Sequence, residues 1–531
     1  MTENKNYLAL NLETLFHVKP DLARIISQTN FNIEGIAVAK SDSGWPFLLQ
    51  TNVNPHRPLE NKVDPRLEAK NAIASLNEKI RLVILKGCGL GYLLKPAQAR
   101  KNIERIVCVE PTLAIFALML SLFDMRRVIL DKRVEFYLGT DAAKAVSALK
   151  LNYDFNTDKS ASLVVLPPYS VIRHPTFGID LEFERQFEEE WSILKITSER
   201  NRVTLSTFTD LWRKNIIANI PAMLDSAPVS SLFGKGRGTV GILVGAGPSL
   251  DKNVDKLIAA QESAYIVAVD SAYRTLLAYG IVPDIVIAVD ATAENVKDFD
   301  GIRKIPDEVS LVMVPVVDPR IPKMFKSRFT ASYGHPIQKW LEKRLKIEFG
   351  SLLISGSVST IGFDLLRKMQ VDKIILVGMD MAFGNNTHTK GFLRADTVSR
   401  FSTLERIESS REKGETLRVL GWGGGEAETN IIMSRWLEWF QREIKKSRVN
   451  VINATEGGAS IFGANEMKLE DAIRDLKKNP KRNLSKIQNI DKRNCDFDVG
   501  EEDLEFMLKW ESAVKSKEEL DGVRHSIIRL L

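Results

Sequence analysis

The chain has 531 residues, 44% of them hydrophobic and 27% charged, and a formal net charge of +6. That is the balance of a globular protein with room for two or three domains, and no compact basic stripe interleaved with aromatics points to nucleic acid. Three cysteines, Cys88, Cys108 and Cys495, are too few and too scattered for a disulfide framework or a zinc ligand set, which predicts a reducing compartment.

The chain opens on Met1-Thr2-Glu3-Asn4-Lys5-Asn6 without an apolar signal core, and no run of about 18 apolar residues follows. A cytoplasmic protein without membrane insertion is expected. Helical period runs over 8–16 and 22–29, and strand-like stretches at 35–39 and 45–50 flank the hairpin signal Ser41-Asp42-Ser43-Gly44. After a charged helix over 65–79 comes a strand at 81–86 that enters Gly87-Cys88-Gly89-Leu90-Gly91. The next strand, 106–109, ends in Glu110-Pro111. A glycine turn after one strand and an acid at the end of the next is the layout of dinucleotide and S-adenosylmethionine sites, and ligand-free doubly wound domains begin the same way. Residues 1–200 are expected to form an N-terminal α/β Rossmann-like domain. Residues 187–220 predict a long helical connector, and the Ser/Gly-rich loop 227–237 marks entry to a central domain, 201–464.

The central domain is organised around Gly245-Ala246-Gly247-Pro248-Ser249-Leu250. Four strand-like residues run into this glycine-bracketed turn, and the amphipathic run 249–260 predicts a helix after it. Glycines at 245 and 247 let backbone come close to a ligand, Pro248 and Ser249 suit a first helical turn, and the free N–H groups there favour a phosphate. Three later strands each end in an acid: 263–269 at Asp270, 283–289 at Asp290 and 373–379 at Asp380. Their short, continuous, β-branched runs are those of strands buried on both faces of a parallel sheet. Ligands in such sheets bind beyond the carboxyl ends of the strands, so the acids mark a candidate site. Ser355-Gly356-Ser357 opens another helix, and the polar loop 383–391 carries His388. Segment 404–425, polar and glycine-rich with Trp422 among its glycines, predicts a lid or acceptor loop. A helix over 431–444 and a strand over 449–454 follow, and 465–531 predicts a C-terminal charged helical region.

On these motifs the region 230–465 resembles the MAF (motility-associated factor) flagellin glycosyltransferases, whose core is similar to a family of bacterial sialyltransferases. Gly245 to Leu250 is similar to the donor-nucleotide loop. Asp270-Ser271-Ala272-Tyr273 and Asp290-Ala291 sit where those enzymes contact the nucleotide. Ser355-Gly356-Ser357 and then Gly378-Met379-Asp380 resemble the second half of the donor site. The sialyltransferases carry Asn where this chain has Ala246, Asp270 and Asp290; carboxylates there suit hydrogen bonds from ribose or base, or a divalent cation, which is left open.

The resemblance implies an α/β fold: a central Rossmann-like, sialyltransferase-type domain flanked by the N-terminal α/β domain and the C-terminal helical region. It also implies transfer of a nonulosonic (sialic-acid-like) sugar from a CMP-activated donor to Ser/Thr hydroxyls of flagellin. N–H groups near Ser249 would hold the leaving phosphate, Ser355 and Ser357 the phosphate or the sugar carboxylate, and Asp270 or Asp290 the ribose or cytosine. The acceptor hydroxyl needs a base. His388, eight residues past Asp380, is the first candidate and His335 the second. Flagellin would dock on the flanking parts and the Trp422 loop. The alternatives are a pterin diphosphokinase-like pyrophosphoryl transferase using ATP and Mg²⁺, and a non-catalytic flagellin-binding assembly factor.

Overall fold

The computed structural model describes residues 7–29, 32–149, 164–334, 336–384, 389, 416–476, 484 and 487. The chain divides into two compact units, residues 1–153 with 163–205 and residues 154–162 with 206–531. The helix Leu181–Leu224 contains the division, so the connector expected over 187–220 is longer at both ends.

In the N-terminal unit, β1 (Ile36–Lys40), β2 (Pro46–Gln50) and β3 (Arg57–Pro58) form an antiparallel sheet. β4 (Leu82–Lys86), β5 (Arg105–Glu110), β6 (Val134–Leu138) and β7 (Tyr169–Arg173) form a parallel sheet in the order β6-β5-β4-β7. Side chains alternate across it: Val83 and Leu85 enter one core, Leu82 and Ile84 the other, the two-sided burial of a helix-covered parallel strand. The helix expected over 65–79 ends sooner, as Pro65–Ala74, because the Arg100 guanidinium takes the carbonyls of Ile73 and Leu76.

The second unit is built on a nine-stranded sheet in the order β18-β17-β14-β9-β10-β11-β12-β13-β8. These strands are β8 (Ala227–Pro228), β9 (Val240–Val244), β10 (Ala264–Val269), β11 (Ile285–Ala288), β12 (Ser310–Met313), β13 (Ser327–Thr330), β14 (Lys373–Val377), β17 (Asn450–Asn453) and β18 (Asn465–Glu466). Every neighbouring pair is parallel. From β9 the chain steps outward through β10, β11, β12 and β13, then returns to lay β14 on the other side of β9. This reversal is the topological switch point at which open α/β sheets form their ligand crevice.

One face carries the end of the long helix with the helices Val358–Met369 and Ile431–Lys446. The other carries Asp270–Ala278 and Leu469–Ile473. Helix Val358–Met369 lies very close to β9: a Cβ on Gly362 would sit 2.4 Å from Leu243 Cδ1. The segment expected as one helix, 249–260, instead forms two short 3₁₀ turns, Pro248–Lys252 and Val254–Ala260. Asn253 separates them. Its backbone leaves the helical region at φ −141°, and its side chain is spent on the Ala454 carbonyl and Glu456, an alternative that Asn readily offers the chain. The part of the expected 404–425 lid that is described belongs to an antiparallel hairpin, β15 (Thr416–Leu420) with β16 (Glu426–Asn430). Of the expected C-terminal helical region, 465–476 is described, with 484 and 487; β18 there closes the edge of the sheet.

Candidate functional site

The turns after β9 and β14 are stitched together. Gly245 N–H reaches Val377 O at 2.9 Å and Gly247 N–H reaches Gly378 O at 2.8 Å. Only glycine fits here. A Cβ on Gly247 would fall 1.9 Å from Asp380 Oδ2 and 2.7 Å from Gly378 O, and one on Gly245 would fall 2.6 Å from the same carbonyl. Gly378 itself has φ +64°, the left-handed region that a side chain disfavours. The openness expected at Gly247 is therefore filled by the protein's own backbone and by Asp380.

Asp380 accepts hydrogen bonds from Ser249 Oγ at 2.7 Å and from Ser249 N–H at 3.2 Å. The donor expected to meet a phosphate thus holds a carboxylate. Burial pushes the Asp380 carboxyl up to about 6, against the Ser249 hydrogen bonds and the Lys252 charge. The loop after β17 closes over it: Ala459 N–H donates to Asp380 O at 2.7 Å. Thr389 is fixed on the turn by its N–H to Ala246 O at 2.9 Å and its hydroxyl to Asp251. His388 and His335 lie outside the described residues.

On the other side of β9, Asp270 begins the helix Asp270–Ala278 and is 4% exposed. It accepts from Asn295 Nδ2 at 2.7 Å and Ser271 N–H at 2.8 Å. Burial pushes its carboxyl up to about 7; the Asp298 charge adds to this, the two hydrogen bonds hold it back, and Asp290 contributes further repulsion. Asp290 accepts from Thr292 N–H at 2.8 Å. The three acids thus form two groups, Asp270 with Asp290 and Asp298, and Asp380 with Ser249. Among the described residues no group of three His, Cys, Asp or Glu side chains is arranged to hold a metal ion.

Ser357 precedes the helix Val358–Met369 without capping it; its hydroxyl meets Ser359 Oγ at 2.8 Å. Ser355 N–H donates to Thr360 Oγ1. Gly356, at φ +75°, is exposed, and the nearest atom to a Cβ there is Trp436 Nε1 at 3.5 Å. Both hydroxyls and the indole N–H thus stand at the helix start, where the dipole favours an anion. Trp422 is half-buried rather than a free lid residue: its Nε1 donates to Asn453 O at 3.0 Å and its N–H to Gly458 O at 3.0 Å.

Sequence reasoning missed Asn215 and Asn219. One turn apart on the long helix, they share a face. Asn215 Nδ2 donates to Ala291 O and Val316 O, and Asn219 Nδ2 to Pro315 O and Val317 O, all between 2.7 and 2.9 Å. They hold the loops after β11 and β12 at the carboxyl edge of the sheet. Two amides in the otherwise apolar run Asn215 to Met223 were the available signal, since buried polar side chains have to be satisfied.

In the N-terminal unit, Glu110 is fully buried and accepts from Cys88 N–H, Thr112 N–H and Thr176 Oγ1. A Cβ on Gly89 would fall 2.4 Å from the His174 ring. The inner face of that glycine turn is closed by protein, which fits the ligand-free reading of this layout.

A family model described as 6-hydroxymethylpterin diphosphokinase MptE-like matches residues 214–386. Two proteins of Treponema pallidum (strain Nichols), both described as uncharacterized, are similar: 22% identical over 205 residues, 38% of this chain and 66% of that protein, and 28% over 143 residues, 25% and 67%. The chain thus matches about two thirds of the length of each. The structure of the MAf glycosyltransferase from Magnetospirillum magneticum AMB-1 aligns with TM-score 0.59 and 16% identity over 89% of this chain and 76% of that one. The resemblance read from the motifs is therefore present in the fold, which is α/β. Among the described residues no helix is long and apolar enough to cross a membrane.

Proposed function

We propose that this chain is a glycosyltransferase that takes a nonulosonic acid from a CMP-activated donor and places it on Ser/Thr hydroxyls of flagellin in the cytoplasm. The observation that carries the reading is the strand order, which reverses between β9 and β14, the switch point beside which open α/β sheets take their ligands, in a fold shared with a glycosyltransferase. On one side stand Asp270 and Asn295, both buried, suited to ribose or cytosine; near pH 7 the Asp270 carboxyl can donate as well as accept. The start of the helix Val358–Met369, which packs over β9 and β11 at Gly362, offers Ser355, Ser357 and backbone N–H groups to the phosphate or the sugar carboxylate. Asp380 acts as a positioning residue that holds Ser249 and the glycine turn. His388 remains the proposed base on the sequence argument, a polar loop eight residues past Asp380.

The test is calorimetric titration of the full chain with CMP, UDP, GDP and ADP, beside intact-mass measurement of flagellin made with and without this gene. Preferential CMP binding and a flagellin mass that drops when the gene is absent are expected. An unchanged flagellin mass overturns the acceptor, and preference for another nucleotide overturns the donor.

A second reading, an MptE-like pyrophosphoryl transferase, is favoured by the family match over 214–386. It requires ATP with Mg²⁺, a cation for which Asp270, Asp290 and Asp298 are not arranged as a ligand group, so the metal would have to be held largely by the nucleotide phosphates. ATP binding that disappears in EDTA, with no response to CMP, selects it.

A further inference from the structure

The N-terminal unit has a cavity of ≈ 830 Å³ that none of the chemistry above uses. It lies on the outer flank of the glycine turn whose inner face is closed, with Leu90, Gly91 and Tyr92 in its wall. Three rings meet there: Trp45 and Phe123 stack with centroids 6.3 Å apart, and Tyr92 meets Phe123 edge-on at 5.4 Å. Tyr92 is fixed by its hydroxyl on Pro46 O at 2.6 Å. Ile73, Ala99 and Met125 add an aliphatic floor.

The rim is basic. Arg66, Lys70, Lys95 and Arg100 line it against one acid, Asp64. Arg100 is spent on the Ile73 and Leu76 carbonyls, and Asp64 caps the helix Pro65–Ala74 through Arg66 N–H and Leu67 N–H. Arg66, Lys70 and Lys95 are exposed and make no ion pair within 4 Å among the described residues. The Arg66 guanidinium is already laid over the Trp45 ring, 4.3 Å from its centroid, which holds its charge at the mouth.

We propose that this cavity is a binding site for a small anion with a flat aromatic body, of the nucleoside-phosphate class. The volume is that of a small-molecule pocket. The rings give a base a stacking surface, and Arg66, Lys70 and Lys95, of which Lys95 also feels the Asp124 carboxylate, meet a phosphate at the rim. A neutral apolar ligand would leave those cations unused, and a bare phosphate would leave the rings unused. The site lies wholly within the N-terminal unit, so it stands or falls independently of the reading of the β9/β14 crevice.

The experiment is hydrogen–deuterium exchange mass spectrometry on the full chain with AMP, GMP, CMP and UMP, and with adenosine and inorganic phosphate alone. Peptides covering 65–74 and 94–99 report on this site separately from the crevice. At least one monophosphate should protect them, and adenosine or phosphate alone should protect at least tenfold less at equal concentration. In Lys70→Gln/Lys95→Gln, which changes only exposed side chains, the midpoint should weaken by about tenfold, with exchange of β4 and β5 unchanged to confirm folding. No protection by any monophosphate, equal protection by phosphate alone, or an unaltered midpoint in the folded double variant would each overturn the proposal.

Discussion

Asp270→Asn should make the second unit more stable at alkaline pH while weakening nucleotide binding. The Asp270 carboxyl is raised from 3.8 to about 7 in the fold, chiefly by burial. The folded chain therefore holds a proton that the unfolded chain has released. The stabilisation belonging to that proton is complete below pH 3.8 and is lost as pH rises through 7. At about 1.4 kcal/mol per pH unit, the raised Asp270 carboxyl opposes folding by on the order of 4 kcal/mol at pH 8, where it is ionised in the fold, and by under about 2 kcal/mol at pH 5, where folding has to take up a proton. Asn removes the charge and the repulsion from Asp298 at nearly constant shape. Its single oxygen can keep the Asn295 or the Ser271 hydrogen bond but not both, a loss of about 1 kcal/mol. The expected net gain is about 3 kcal/mol at pH 8, falling to within about 1 kcal/mol of zero at pH 5. Urea unfolding at the two pH values, with exchange at residues 264–288 identifying the transition, measures it. A variant less stable than the parent at pH 8, or a difference that ignores pH, refutes the reasoning. In the same protein CMP affinity should fall at least tenfold, because a charge retained against stability marks a functional role.

Three other outcomes follow from the geometry. Gly247→Ala should destabilise by about 1–3 kcal/mol, since its Cβ meets Asp380 and Gly378 rather than open space; a urea midpoint equal to the parent's contradicts the stitched turns. Asp380→Asn should flatten an inflection near pH 6 in CMP affinity: protonation below that pH weakens the acceptor for Ser249, so parent binding should fall as pH drops, and a parent profile without that fall between pH 5 and 8 removes Asp380 from the site. Asn219→Leu leaves the Pro315 and Val317 carbonyls without their donor and should cost about 2–4 kcal/mol, read as a lowered thermal midpoint; an unchanged midpoint would show that the amide does not hold those loops.

Much of this was legible in the sequence because it is local. Apolar runs such as 264–269 and 373–377, short, rich in β-branched residues and bounded by turn residues, read as strands buried on both faces, and a glycine bracket directly after one of them reads as a tight turn. The hairpin at 41–44 and the helices that follow Asp270 and Ser357 are likewise written in adjacent residues. Strand order is not. Nothing near Asp380 says that β14 returns to lie beside β9 rather than beyond β13, and that choice alone brings its carboxylate onto Ser249, 131 positions away in the chain. The same insertion puts β9 between Asp380 and the Asp270–Asp290 group, so acids that read as one cluster became two. The helix expected over 249–260 was broken by Asn253 reaching Ala454, 201 positions on, and Trp422 was drawn out of its supposed lid by Asn453. Each of these is a hydrogen bond between groups that burial forbids to remain unpaired, and a sequence names the groups that need partners without naming the partners. Which ones meet is decided by how the whole sheet packs.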